Sequence, residues 1–221
     1  MQRALKSVAS VFLSLTAAFC AGCLSSSAPE ATAWTLETPA ASRGVAVPSV
    51  EGAQRAAFGT TRMGTVAVDA PFDKTSFVVR RADGSVAFDD CNVFAALPAS
   101  LVRAPVRDRL GADGRFGRVV NPSSTAWADA QVEVQVTDLS LDCRTAGQRR
   151  ARAALALDVV KTGRGPRTVA LRGAGAGEAD AADGNYSAAF SDAVDAALSE
   201  ALKSLKSVET PPQNAPLAPT K

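Results

Sequence analysis

The sequence predicts an α+β domain: a single mixed, mostly antiparallel β-sheet with two main helices packed on one face. Three observations carry that expectation. Period-two alternation recurs in several runs between Gly64 and Arg172, with hairpin-type turns between some of them. Two stretches, residues 94–110 and 186–205, change to an apolar spacing of three and four. The order is strands, a helix, long hairpin strands and a closing helix, which differs from a strict run of βαβ units.

The first 22 residues read as a leader. Arg3 and Lys6 precede Val8–Gly22, a stretch without charge that is shorter than the ~20 apolar residues a membrane-spanning helix needs. A basic start, an apolar middle and small residues before a cut is the layout of a secretory signal. Its end, Cys20-Ala21-Gly22-Cys23, resembles the lipobox of bacterial lipoproteins. That resemblance implies cleavage after Gly22, a diacylglycerol on the Cys23 sulfur and a further acyl chain on the new amino terminus. Cys20 stands where a lipobox usually has Leu, while Ala21 and Gly22 meet the stricter demand for small residues. A redox Cys-x-x-Cys pair would sit at the start of a folded helix beside a strand, not in a leader. Cys23 is therefore expected to be lipidated and Cys20 to leave with the leader. Residues 23–58 then form a Ser-, Ala- and Pro-containing tether, with a first strand near Trp34–Glu37.

The domain proper is expected over residues 59–207. Val66 and Val68, Phe77 and Val79, and Val86 and Phe88 alternate, and Asp83-Gly84 is a hairpin signal between Thr75–Arg81 and Ser85–Asp89. Phe94, Leu97, Leu101, Val102 and Leu110 then make a helical stripe. Pro98 suits its first turn, whereas Pro105 should kink or divide it. Gly111–Phe116 stops the helix and leads into a strand at Phe116–Val120.

Val132, Val134 and Val136 face one way, after which the parity moves to Leu139 and Leu141. A slip of one in a period of two predicts a bulge near Thr137 and Asp138. Ala151, Ala153, Leu155, Leu157 and Val159 continue the alternation, with Thr145–Gln148 as the hairpin turn, and another strand is expected at Thr168–Arg172. The glycines of residues 172–184 lack the Lys-Ser/Thr pair and βαβ frame of a phosphate loop, so they read as edge strand and loop. The closing helix stacks Tyr186, Phe190, Val194, Ala197, Ala201 and Leu205, with Asp183 or Asn185 as N-cap and Lys203 and Lys206 late. Its polar face is mixed in sign, which favours packing on a sheet over lying on a membrane. Residues 208–221 are Pro-rich and expected to be disordered.

Composition narrows the function. Without Arg3 and Lys6 the chain carries 22 basic and 22 acidic residues, leaving no net basic field for nucleic acid. It contains no histidine, so a Ser-His-Asp or Cys-His site cannot be built, and no cofactor or metal site is expected. The best acidic pair, Asp89-Asp90, would point to opposite faces of a strand, or would cap the following helix. No enzymatic activity is expected. Cys91 and Cys143 leave two readings open. In an oxidising compartment they would form a disulfide closing a loop of about 53 residues, worth ~4 kcal/mol in the chain-entropy picture. Otherwise they pack as free thiols.

A lipobox, then residues 76–102, then 128–143, then 186–205, in that order, resemble the auxiliary lipoproteins of ABC-type transporters. That group includes the lipoprotein of the paraquat-inducible intermembrane transport system. The resemblance implies a membrane-anchored, non-catalytic subunit of a system moving lipids or other apolar molecules across the cell envelope. Its partners would be an MCE-type substrate-binding protein and an ABC permease and ATPase. Leu24, rather than Asp, after the anchor implies the outer membrane, facing the periplasm. An outer-membrane assembly or scaffolding lipoprotein is the alternative with the same anchor, size and fold. Self-association is left open by the sequence.

Overall fold

The computed structural model describes residues 30–37, 57–163, 167–182 and 184–208. The expected leader, Cys23 and residues 209–221 of the expected tail lie outside the described residues. In chain order the elements are β1 (Thr32–Trp34), β2 (Phe58–Val68), β3 (Ser76–Arg81), β4 (Val86–Phe94), α1 (Pro98–Ala112), β5 (Phe116–Val120), β6 (Ala130–Cys143), β7 (Arg150–Lys161), β8 (Thr168–Asp180), α2 (Tyr186–Lys203) and β9 (Lys206–Ser207). One nine-stranded sheet and two helices make an α+β fold. Pairings are evenly split. Strands β1/β4, β2/β5, β2/β6 and β3/β6 are parallel, and β3/β4, β6/β7, β7/β8 and β8/β9 are antiparallel. The sheet is mixed, with less antiparallel character than the hairpin signals alone suggest, because turns report only sequence-adjacent partners.

Strand β6 organises the sheet. One edge pairs with β7 throughout, while the other pairs with β2 from Ala130 to Val136 and with β3 from Ser140 to Cys143. The change of partner coincides with the bulge between Val136 and Asp138. There the Asp69 amide donates to the Val136 carbonyl at 2.9 Å, closing the first ladder before the second begins. Because the bulge adds one residue, Val132, Val134 and Val136 and then Leu139 and Leu141 all enter the core. Arg80 donates to Asp138 and Ser140 beside this bend, and its guanidinium lies over the Phe72 ring at 5.6 Å.

Both helices join the same hydrophobic core. Helix α1 buries Pro98, Val102, Val106 and Leu110 and runs undivided through Pro105. Phe94 belongs to β4, and Leu97 is the N-cap at 56 % exposure, so the buried face is shifted from the expected one. Helix α2 buries every residue of its expected stripe from Tyr186 to Ala201, adding Ala189, Ala193, Leu198 and Leu202. Asn185 is its N-cap without a side-chain capping bond.

The glycine-rich stretch departs from expectation. Expected as edge strand and loop, it is strand as far as Asp180 and forms most of β8, which is continuous from Thr168. Gly173, Gly175 and Gly177 form a groove in which α2 sits, and backbone contact replaces the side-chain contact that period-two hydrophobicity would signal.

Candidate functional site

The lipidation site expected at Cys23 lies outside the described residues, and β1 is where the chain beyond it joins the sheet. The expected strand at Trp34–Glu37 is observed at Thr32–Trp34. The reason is a change of partner. Trp34 closes the β1/β4 ladder and accepts from the Ala95 amide at 2.6 Å, whereas Thr35 and Glu37 turn to α2. The Ser187 hydroxyl donates to the Thr35 carbonyl, and the Glu37 amide donates to Ser191 Oγ at 2.8 Å. Trp34 itself donates from Nε1 to Asn92 Oδ1 at 3.0 Å and meets Tyr186 edge-on at 5.3 Å. Tyr186 continues edge-on into Phe77, which packs with Phe94 and Phe190. Residues 32–37 thus clip onto both the sheet and the helix through one aromatic cluster.

Cys91 and Cys143 are both free, which corrects the disulfide expectation. Cys91 is on β4 and Cys143 on β6, with β3 between them. Cys143 pairs with Arg81 at one end of β3, while Cys91 falls beyond the Phe77–Asp89 pair near the other end. At ~3.3 Å per strand residue and ~4.8 Å between strands, their Cα atoms stand about 20 Å apart. A bridge needs less than ~7 Å, so these two residues cannot be joined within this fold. Compartment argues for oxidation, but it carries no information on distance. Cys91 is exposed, and burial pushes the Cys143 thiol up from its ordinary value.

Asp89 and Asp90 lie inside β4, well before Leu97, the N-cap of α1, so they do not cap that helix. Asp89 accepts from the amides of Cys91 and Asn92 and from Asn92 Nδ2 at 2.9–3.1 Å. Asp90 accepts from Ser76 Oγ at 2.9 Å. Both carboxylates hold the irregular register where β3 and β4 slip between Ser76 and Phe77. They do not converge on a common point.

Other charged groups are engaged in the same way. Asp142 accepts from Arg144 and Arg152, and the Arg144 hydrogen bonds hold its carboxyl well below the usual carboxylate range. A shallow cavity of about 530 Å³ lies between the C-terminal ends of α1 and α2. Its arginines are already employed: Arg115 donates to Asp113 and to the Leu202 carbonyl, and Arg109 donates to Ser199. Among the described residues no group of three acidic or cysteine side chains converges in a metal-binding arrangement, and no helix is long and apolar enough to cross a membrane.

One surface residue escaped the sequence reading. Trp127, in the β5–β6 connection, is 71 % exposed, the most exposed large hydrophobic side chain of the described residues. The available signal was its position: one of two tryptophans in the chain, set in the polar run Asn121–Asp129 where no core is expected.

No family model matches the chain, and no curated protein is similar to it in sequence. Similarity is found among solved structures. A Xanthomonas campestris protein of family DUF330 superposes with a TM-score of 0.52 at 13 % identity, covering 75 % of this chain and 87 % of that one. A hypothetical protein of Chlamydia trachomatis gives 0.46 at 8 % identity, covering 66 % and 94 %. The PelC dodecamer of Paraburkholderia phytofirmans gives 0.40 at 10 % identity, covering 69 % and 92 %. The first likeness identifies a shared fold and nothing finer.

Proposed function

We infer that the chain is a lipid-anchored, non-catalytic auxiliary subunit of an ABC-type envelope transport system that moves lipids or other apolar molecules. The observation that carries this reading is Cys20-Ala21-Gly22-Cys23 at the end of an uncharged leader, followed by a Ser- and Pro-containing tether. Acyl chains contribute ~0.8 kcal/mol per buried methylene, so two or more of them hold a water-soluble domain at a bilayer without a spanning segment. The domain is suited to a mechanical role. Residues 32–37 are fixed to both sheet and helix, and Asp89 and Asp90, the carboxylates considered for catalysis, are committed to the Cys91 and Asn92 amides, the Asn92 side chain and the Ser76 hydroxyl.

The test has two parts. Cys23→Ser is expected to move the full chain from the membrane fraction to the soluble periplasm with its circular dichroism unchanged; membrane retention would overturn the anchor. Mild-detergent purification of the native form is expected to bring down an MCE-type protein or an ABC permease. Recovery without either would transfer the assignment to an assembly or scaffolding lipoprotein.

A further inference from the structure

Strand β4 leaves most of one edge unpaired. Strand β1 covers it only from Asn92 to Phe94, so among the described residues nothing pairs with that edge from Val86 to Asp90. The Arg81 amide donates to the Ser85 carbonyl at 2.9 Å, and alternation from that bond turns the amide and carbonyl of Ala87 toward β3 and those of Val86 and Phe88 outward. Their side chains also share a face. Phe77 packs on Phe190 of α2, whereas Val78 and Arg80, the partners of Phe88 and Val86, lie on the opposite face of the sheet. There Val86 is 48 % and Phe88 45 % exposed. Sheets protect such edges with lysine, proline or a bulge. Here the irregular register comes only after Asp89, and Lys74 is engaged over the Phe88 ring at 5.0 Å.

Two properties of the edge itself select its occupant. The first is register. About a two-fold axis at Ala87, an antiparallel second copy sets Val86 against Phe88 and Phe88 against Val86. Each pair exchanges its outward backbone bonds and joins two apolar side chains. Moving the axis to Asp89 would set two carboxylates opposite each other, and moving it to Ser85 would set Val86 against Gly84 of the turn. The second property is charge. Arg81 lies beside Ser85, is exposed and forms no salt bridge among the described residues, while its turn neighbour Asp83 is held by the Ser85 amide at 2.9 Å. The axis at Ala87 sets Ser85 against Asp89 of the second copy, which places that carboxylate about 10 Å from Arg81, two strand spacings and within the joint reach of the two side chains. The two-fold repeats the contact at the other end, so this edge complements itself in apolar side chains and in charge.

We propose that the β4 edge binds the β4 edge of a second copy of this chain, antiparallel and two-fold about Ala87, so that one sheet runs through a homodimer. The inference is independent of the transport reading.

The test is disulfide trapping of the full chain in intact cells, with Cys91→Ser and Cys143→Ser as background and Ala87→Cys added. In the proposed register position 87 faces itself as a non-hydrogen-bonded pair with Cα atoms ~4.5 Å apart, inside the range a bridge spans. Position 85 faces position 89 instead, and its two copies stand ~13 Å apart along the strands, so Ser85→Cys is the control. Mild oxidation is expected to link Ala87→Cys into a species of twice the chain's mass at least about tenfold faster than Ser85→Cys, with the background alone unlinked. Phe88→Asp should lower that yield several-fold with unchanged circular dichroism. As a second measurement, analytical ultracentrifugation of the purified parent chain in mild detergent is expected to show a concentration-dependent dimer that Phe88→Asp shifts to monomer. No link from position 87, equal linking from 85 and 87, an adduct with a different protein, or a parent that stays monomeric at every concentration overturns the proposal.

Discussion

Gly175 lies so close beneath Ala197 that a β carbon on the glycine would stand 2.2 Å from the Ala197 carbonyl oxygen. The relationship repeats with Gly177 under Ala193 and Gly173 under Ala201. It repeats because four helical residues rise ~6.0 Å and two strand residues ~6.6 Å, so the two elements stay nearly in step. The approach also brings α2 to the strand edge. The Ala174 amide donates to Ser204 Oγ at 2.9 Å and the Ala176 amide to Glu200 Oε2 at 3.0 Å, so helix side chains occupy donors that would otherwise template edge-to-edge pairing.

Gly175→Ala is accordingly expected to destabilise the domain by ~2–3 kcal/mol, the upper part of the usual range for overpacking, since backbone atoms on α2 must move. Gly111→Ala should have the opposite sign. Gly111 lies in the last turn of α1 with nothing near its would-be β carbon, and replacing a helical glycine contributes ~0.5–1 kcal/mol. Urea midpoints of the two variants check both signs.

The cysteines provide a test of the strand order. Iodoacetamide at neutral pH is expected to alkylate Cys91 first and Cys143 slowly, because Cys143 is half-buried and its thiol is pushed up. Both should react in denaturant. An intact mass two protons below the dithiol would mean that β4 and β6 are not separated by β3.

Legibility in the sequence followed periodicity. The bounds of β5, the bulge in β6, the turn at Asp83-Gly84 and the buried face of α2 were readable because each leaves a local pattern of period two or three-to-four, or a turn dipeptide. Strand β8 beyond Arg172 was not, since alternating glycine and alanine carry no apolar contrast and their meaning depends on the later helix α2. Phe94 and Leu97 match the helical stripe because the end of β4 and the start of α1 satisfy the same spacing. The parallel pairing of β2 and β3 along one edge of β6 is non-local and has no turn to announce it. Trp127 has no periodic signature at all, which is how an exposed side chain on a loop differs from a core residue.

Trp34→Ala is expected to release residues 32–37 while leaving the rest of the sheet folded. The indole supplies the Asn92 bond and the Tyr186 contact, and truncation of a partly buried tryptophan costs ~3 kcal/mol. The local readout is hydrogen exchange at the Ala95 amide, which donates to the Trp34 carbonyl and should lose protection. Equal loss of protection across β6 and β7 would show that the clip is part of the global core.

Asp142 gives a pH dependence. Its carboxyl is held down chiefly by the Arg144 side chain, with the Arg144 amide and Arg152 adding to this and burial opposing it. A depressed value in the folded state contributes stability that is fully present above the ordinary aspartate range near ~3.9 and is lost as pH falls through the folded value. Asp142→Asn should therefore lower the urea midpoint at pH 7, and the gap from the parent should close progressively below about pH 4. A constant gap down to strong acid would assign the effect to packing.

The bulge in β6 offers the sharpest test of the architecture. Deleting Thr137 removes the one residue that the bulge adds, so strict alternation then carries Val132, Val134, Val136, Leu139 and Leu141 on the same, core-facing side. Strand β2 holds the first set and β3 the second, and neither ladder can slip without exposing its own side chains. The deletion is therefore expected to keep a cooperative transition, its midpoint lowered only by the loss of the bend at which β6 changes partner. Thr137→Ala, which trims an exposed side chain and keeps the residue count, should shift stability by no more than ~0.5 kcal/mol. Loss of cooperative unfolding in the deletion variant would mean that the change of partner from β2 to β3 depends on the bend that the extra residue supplies.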